Sequence, residues 1–297
     1  MLPYEILPGF DMYVLMICVA AVSAILSFRF ISDKMDISVN LQNLCLFNGV
    51  FAIVGGYYSA VFFQALYNIP KNNGFYLNAS TGSTFYGGLI GGVAIFLLVY
   101  FIAGHFLFKK SGEHKKKFWL VSDAAVPAIL LAHGFGRLGC LFAGCCHGMV
   151  TDAWFGIYMK ALGKRVVPTQ LFEAVFLFAL FAFCLFRVKK GKSYNLPIYM
   201  FAYGIWRFLI EYVRDDYRGS TIVEFLTPSQ FVAIFMVIGA IALFFIQKKL
   251  MSYSSIVSEK QDYVSADGAD IAKSESSVVE NEYVNDTEDV DIEDDDD

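Results

Sequence analysis

The sequence predicts an all-α, polytopic integral membrane protein with seven transmembrane helices. Three observations predict it. The 297 residues are 57% hydrophobic and only 17% charged, whereas an ordinary soluble domain is nearer a quarter charged. The apolar residues gather into runs of about 20, the length that crosses a bilayer as a helix. Lys and Arg crowd into alternate connections between those runs, as they do in proteins oriented across a membrane. The bilayer is thus the first expected partner, and no nucleic-acid partner is expected.

The predicted segments run over about residues 12–30, 44–67, 87–108, 118–141, 170–186, 196–212 and 230–246. Pro127, His133 and Arg137 interrupt the fourth. Connections after the first, third, fifth and seventh segments carry 13 Lys and Arg, among them Lys109, Lys110 and Lys115 to Lys117; the opposite connections carry 6. Basic loops stay cytoplasmic, so the N-terminus is expected outside and the C-terminus inside. Glu5 and Asp11 precede the first basic residue, Arg29, so no secretory signal is expected. Six cysteines in a chain this long, three of them in apolar runs (Cys18, Cys45, Cys184), do not make a disulfide framework.

The chain divides into a membrane domain, 1–250, and a tail, 251–297. The tail holds 16 acids and 2 lysines, a net charge of −14, against +9 for the rest. So acidic a segment buries too little apolar surface to offset its ordering entropy, and disorder is expected.

The membrane domain centres on residues 133–148, which begin His133-Gly134-Phe135-Gly136-Arg137-Leu138-Gly139-Cys140 and end Gly144-Cys145-Cys146-His147-Gly148. An arginine at membrane depth is costly and usually faces a bundle interior or polar cavity, which makes Arg137 a candidate site residue. The glycines, Gly136 and Gly139 included, let a helix or a lipid headgroup come close. Gly134-x-Gly136-x-x-Gly139 spells a dinucleotide fingerprint, but no strand–turn–helix unit surrounds it. His133, Cys140, Cys145, Cys146 and His147 are metal-ligand types without the regular short spacing of closed zinc sites. No metal or other cofactor is therefore assigned, and the cysteines read either as small packing residues or as reactive thiols.

Three further stretches carry polar groups into apolar surroundings. Tyr86-Gly87-Gly88-Leu89-Ile90-Gly91 opens the third segment; free N–H groups at a helix start suit an anion. Tyr86 there is either part of an aromatic belt or a headgroup contact. Pro168-Thr169-Gln170-Leu171-Phe172-Glu173 opens the fifth segment, with Pro168 and Thr169 at the helix start and Glu173 one turn inside. Near the end of the sixth, Tyr203, Arg207 and Glu211 follow one another at four-residue spacing on one face, with Arg214 beyond. Arg207 and Glu211 form either a structural ion pair hidden from lipid or, with Arg137, the wall of an anion-holding cavity, a task that suits the bidentate guanidinium fork.

These blocks resemble, in order, those of the prolipoprotein diacylglyceryl transferase family. Its signature reads approximately G-R-x-G-N-F-x-N-x-E-x-x-G, and residues 136–148 match it at Gly136, Arg137, Gly139 and Gly148. Residues 86–91 resemble H-G-G-L-x-G, 168–173 resemble P-x-Q-L-Y-E, and 207–214 resemble R-x-x-x-E-x-x-R. The departures are Tyr86 for the histidine, Cys140 and Ala143 for the asparagines, and Cys145 for the glutamate. The resemblance implies seven spans, a bacterial cytoplasmic membrane, and an active site toward the outer leaflet. It also implies transfer of sn-1,2-diacylglyceryl from phosphatidylglycerol to the lipobox cysteine of a prolipoprotein. On that basis Arg137, Arg207, Glu211 and Tyr86 are the expected catalytic residues. Gly87, Gly88, Gly136, Gly139, Gln170, Glu173, Tyr203 and Arg214 are expected to bind substrate, with Arg214 near the outer rim. His133, His147, Cys145 and Cys146 are the candidates for a base or reactive thiol. Two other classes fit the departures: a non-catalytic member binding phospholipid or a partner helix, and a membrane thiol-redox protein.

Overall fold

The computed structural model describes residues 5–7, 10–72, 74–77, 81–82, 84–160, 162–215 and 226–251; the predicted disorder of the acidic tail falls, from residue 252 on, outside them. The described residues up to Ile241 fall in one compact unit, and those from Ala242 to Met251 belong to a second.

The helices, in order, are α1 (Met12–Lys34), α2 (Val39–Asn72), α3 (Phe85–Leu107), α4 (Glu113–Lys116), α5 (Phe118–Ala143), α6 (Thr169–Lys189), α7 (Asn195–Ile210) and α8 (Pro228–Met251). Six of them, all but α4 and α7, are long and apolar enough to cross a membrane. The predicted sixth segment became α7, which has 16 residues. At 1.5 Å per residue that is about 24 Å, short of a hydrocarbon core of about 30 Å. A 3-10 turn, Glu211–Val213, continues it. Arg214 then turns extended and bridges the backbone of Gly148.

Two other departures from prediction have local causes. The helix α5 runs unbroken through Pro127. Proline leaves the carbonyl four residues earlier without its helical donor, and Asn195 Nδ2 donates to that carbonyl, Asp123 O, at 3.3 Å. The helix α2 begins five residues before its apolar run because polar partners hold its first turns: Ser38 Oγ accepts from Leu41 N at 3.3 Å, and Arg29 donates to Gln42 at 3.2 Å and to Asn43.

The expected all-α class needs correcting in two small places. Strands β1 (Glu5–Leu7) and β2 (Phe10–Asp11) form one antiparallel hairpin; β3 (Ile157–Met159) and β4 (Lys164–Val166) form another. Their strands are only two or three residues long, too short to register as a periodic pattern. The β3–β4 hairpin buries Met159 and Val166 against Leu141 of α5.

Packing pairs α2 with α3, α1 with α5, and α5 with α6. A seam of small residues joins α2 to α3: Gly56 and Ala60 meet Gly88, and a Cβ on Gly56 would lie 3.0 Å from Gly88 O, the close approach that small residues permit. One buried cluster joins Phe28 and Ile31 of α1 to Leu41 of α2, Tyr100 of α3 and Val121 of α5. A second joins Val126 and Leu130 of α5 to Leu177, Leu180 and Cys184 of α6. Outside the long helices, Glu113 accepts from Ser38 N at 3.2 Å and Ser38 Oγ at 2.7 Å and pairs with Lys117 at 3.1 Å. Burial alone would raise this carboxyl, but the bonds from Ser38 and Lys117 outweigh it and hold it below the ordinary glutamate range.

Candidate functional site

Three helices each carry a polar stripe set by helical periodicity. On α5, His133 and Arg137 are four residues apart; on α6, Gln170 and Glu173 are three apart; on α7, Tyr199, Tyr203 and Arg207 follow at intervals of four. Residues so spaced share a helix face. Where α5, α6 and α7 pack, the stripes meet on one carboxylate.

That carboxylate is Glu173, fully buried. Its Oε1 accepts from Tyr203 OH at 2.7 Å and from Arg137 Nε at 3.0 Å, and His133 Nε2 lies 3.8 Å away. His133 Nδ1 faces Tyr199 OH at 3.3 Å, and the His133 ring stands edge-on to Tyr203 with centroids 4.9 Å apart. A charge so deeply buried persists when paired and hydrogen-bonded, and Arg137 supplies the balancing cation. Among the described residues, Glu173 Oε2 has no hydrogen-bond partner.

A second cluster sits one turn further along α7. Arg207 NH1 lies 2.9 Å from Glu211 Oε2, and Arg207 NH2 donates to Ser229 Oγ at 2.6 Å. Thr227 Oγ1 donates to Glu211 Oε1 at 3.0 Å, and Arg214 Nε lies 3.9 Å from Glu211 Oε2. One carboxylate thus sits between two guanidinium groups.

The end of α5 forms a third cluster. Gly144 takes the left-handed conformation, φ 70°. Gly144 N bonds Leu141 O at 3.0 Å and Cys145 N bonds Cys140 O at 3.2 Å, the paired closing bonds of a Schellman cap, which brings the side chain just beyond the glycine against the last helical turn. Cys146 is also left-handed, φ 60°. The Sγ atoms of Cys140, Cys145 and Cys146 all lie within 4.8 Å of one another. Thr169 Oγ1 donates to Cys146 O at 2.9 Å, and Gln170 Nε2 donates to Cys145 O. Arg214 hydrogen-bonds Cys146.

Several residues stand otherwise than expected. Arg214, read as a rim residue, has a side chain only 2% exposed. Arg207 has both terminal nitrogens turned to protein partners. Tyr203, which shares a face with Arg207, bonds Glu173 instead. Gly87 and Gly88 are accounted for by packing: a Cβ on Gly87 would lie 2.6 Å from Phe63 Cβ, and its carbonyl accepts from Ser59 Oγ at 2.9 Å. Gly139 packs on Tyr13 and Met16 of α1, whereas a Cβ on Gly136 would meet no atom within 4 Å. Tyr86 is half-buried in the first turn of α3, on the helix that pairs with α2 rather than among α5, α6 and α7. His147 Nδ1 lies 3.0 Å from Gly148 O. A cavity of about 470 Å³, lined by Asn40, Asn43, Leu44, Phe47, Leu107 and Phe108, contains none of the expected site residues.

Sequence reasoning missed Tyr199, Ser229 and Thr227. A signal existed for the last two: Thr227-x-x-Gln230 is a capping box, with Gln230 N donating to Thr227 Oγ1 at 3.2 Å and Thr227 N donating to Gln230 Oε1 at 3.1 Å. It marks the start of α8 beside Arg207.

Known proteins are similar to this chain over more than half of its length. A phosphatidylglycerol–prolipoprotein diacylglyceryl transferase 2 of Clostridium perfringens is 39% identical over 174 residues, covering 56% of this chain and 63% of that protein. A phosphatidylglycerol–prolipoprotein diacylglyceryl transferase of Clostridium tetani is 33% identical over 61% of this chain and 70% of its own length. One from Dehalococcoides mccartyi is 33% identical over 57% and 62%. The match thus spans less than two thirds of two of these three relatives. The family model described as prolipoprotein diacylglyceryl transferase matches residues 6–246, nearly all of the helical body. By that match the chain belongs to the prolipoprotein diacylglyceryl transferase family.

Proposed function

We propose that this chain transfers the sn-1,2-diacylglyceryl group of phosphatidylglycerol to the lipobox cysteine of a prolipoprotein. The observation that carries the reading is Arg137. It is a guanidinium inside an apolar helical body, held through Nε by the fully buried carboxylate of Glu173. A guanidinium fixed in this way stays charged and presents the planar fork that suits a phosphate. Arg207, whose fork is taken up by Glu211 and Ser229, contributes positive field rather than direct contact.

In the reaction the thiol S–H bond breaks and a C–S bond forms at the glyceryl carbon. The C–O bond to phosphate breaks, and glycerol phosphate leaves with the electron pair. Charge builds on the departing phosphate, and preorganised cations at that point are usually the largest catalytic term. The positive field of the two guanidinium groups favours the substrate thiolate, and the thiol proton passes to water. In this reading α7 and the turn after it complete a seventh crossing. The N-terminus is outside, the C-terminus cytoplasmic, and the site opens toward the outer leaflet of a bacterial cytoplasmic membrane.

The test is rescue of lipoprotein processing in cells depleted of their own transferase, with Arg137→Ala alongside. Rescue by the parent chain and a loss of about 100- to 1,000-fold in transfer by the variant are expected. No rescue by a well-expressed, folded parent would favour a member that binds phospholipid without transferring it.

A further inference from the structure

We propose that Cys140, Cys145 and Cys146 bind one soft divalent cation of the zinc type through three sulfurs, leaving a fourth coordination position for an incoming thiol. The second half of this proposal rests on the transferase reading; the first does not.

The geometry comes from the backbone. The left-handed residues Gly144 and Cys146 curl the chain back on the end of α5, which overcomes the irregular spacing of the three cysteines. Their sulfurs lie within 4.8 Å of one another. Three thiolates around a zinc ion at about 2.3 Å stand about 3.8 Å apart in tetrahedral geometry, so small side-chain rotations close the site. A disulfide would use two of the sulfurs and leave the third without a role; a metal ion uses all three. Among the described residues, no histidine, carboxylate or further cysteine joins the group. Three protein ligands and one exchangeable position are the pattern of reactive rather than purely structural zinc sites.

The surroundings suit that charge. A divalent ion with three thiolates carries a net charge of −1. Arg214, its side chain 2% exposed, hydrogen-bonds Cys146 and supplies the balancing cation. The carbonyls of Cys145 and Cys146 are gripped by Gln170 and Thr169 from the first turn of α6. Such outer contacts hold metal ligands in place. The same α6 turn carries Glu173, so the sulfur cluster adjoins the Arg137 network.

Metal coordination is one way to activate a sulfur nucleophile. When a substrate thiol takes the fourth position, its S–H bond breaks, a sulfur–metal bond forms and the proton passes to water; no electron changes hands.

The test uses full-length protein, purified reduced in detergent and titrated with Cd²⁺ as the probe. One equivalent should produce a sulfur-to-cadmium charge-transfer band that Zn²⁺ displaces. Cys140→Ser, Cys145→Ser and Cys146→Ser should each abolish stoichiometric binding, while Cys18→Ser and Cys184→Ser retain it, with helicity checked by circular dichroism. Absence of the band in folded, reduced protein, or its survival in the Cys145→Ser/Cys146→Ser pair, overturns the site. One equivalent of a lipobox peptide should shift the band, and its Cys→Ser analogue should not; no shift with bound peptide overturns the fourth-ligand role. A chain that binds Cd²⁺ through these sulfurs yet never transfers diacylglyceryl keeps the site and loses the transferase reading. One that transfers at full rate after chelation keeps the reading and loses the metal's part in it.

Discussion

Arg207 and Arg137 are held in opposite ways. Arg207 finds its carboxylate four residues away on its own chain turn, and Arg214 shares that carboxylate three residues further on, so the ionic core of this cluster occupies eight consecutive positions. Arg137 finds its carboxylate 36 residues away, on another helix, and a tyrosine on a third helix completes the arrangement. The first is a local device that α8 closes with Ser229 and Thr227. The second is a tertiary joint: Glu173 ties α5, α6 and α7 at one point, and its remaining oxygen stays without a hydrogen-bond partner among the described residues. In proteins generally, a buried pair is weak evidence of net stabilisation, yet breaking one by removing a single partner is costly.

Removal of each carboxylate tests the comparison. Glu211→Ala leaves two guanidinium groups without their acid and should cost the most, about 5 kcal/mol, against about 3 kcal/mol for Glu173→Ala with one; thermal unfolding in detergent measures both, and equal losses would break the distinction. Tyr203→Phe removes one hydrogen bond to a charged oxygen and should cost about 2 kcal/mol. A double cycle with Glu173→Gln should recover most of that as coupling, since the two groups touch. Thr227→Ala removes both a helix cap and a Glu211 contact, at about 1 kcal/mol. The smallest effect belongs to Glu113, outside both clusters: Glu113→Gln should cost about 0.5 kcal/mol at neutral pH. Its carboxyl sits below the ordinary range in the folded protein, so its contribution is present above the unfolded pKa and fades as pH falls through the folded one. The parent and Glu113→Gln melting temperatures should therefore converge in acid; a gap that widens there would overturn the Ser38 and Lys117 account.

Much of the fold was legible because it depends on local pattern. Six apolar runs became helices close to their expected bounds, and the Arg207–Glu211 pair follows from spacing alone. Gly144 followed by a cysteine reads as a helix cap that turns back on Cys140, a signal present in the chain although the spacing argument against a metal passed over it. The unbroken course of α5 was not legible, since the donor that stands in for Pro127's missing N–H comes from Asn195 on α7. Nor were the two hairpins, whose strands are two or three residues long, or the length of α7, whose apolar run continues past the point where the backbone leaves the helix.

Periodicity, composition and cap chemistry act over a few residues, so the amino-acid sequence by itself determined the helices, their polar stripes and the family to which they belong. Which stripe meets which was decided only when α5, α6 and α7 packed. Glu173 became the partner of Arg137 because burial brings together groups that are remote along the chain, and each buried charge needs a counter-charge within a few ångströms.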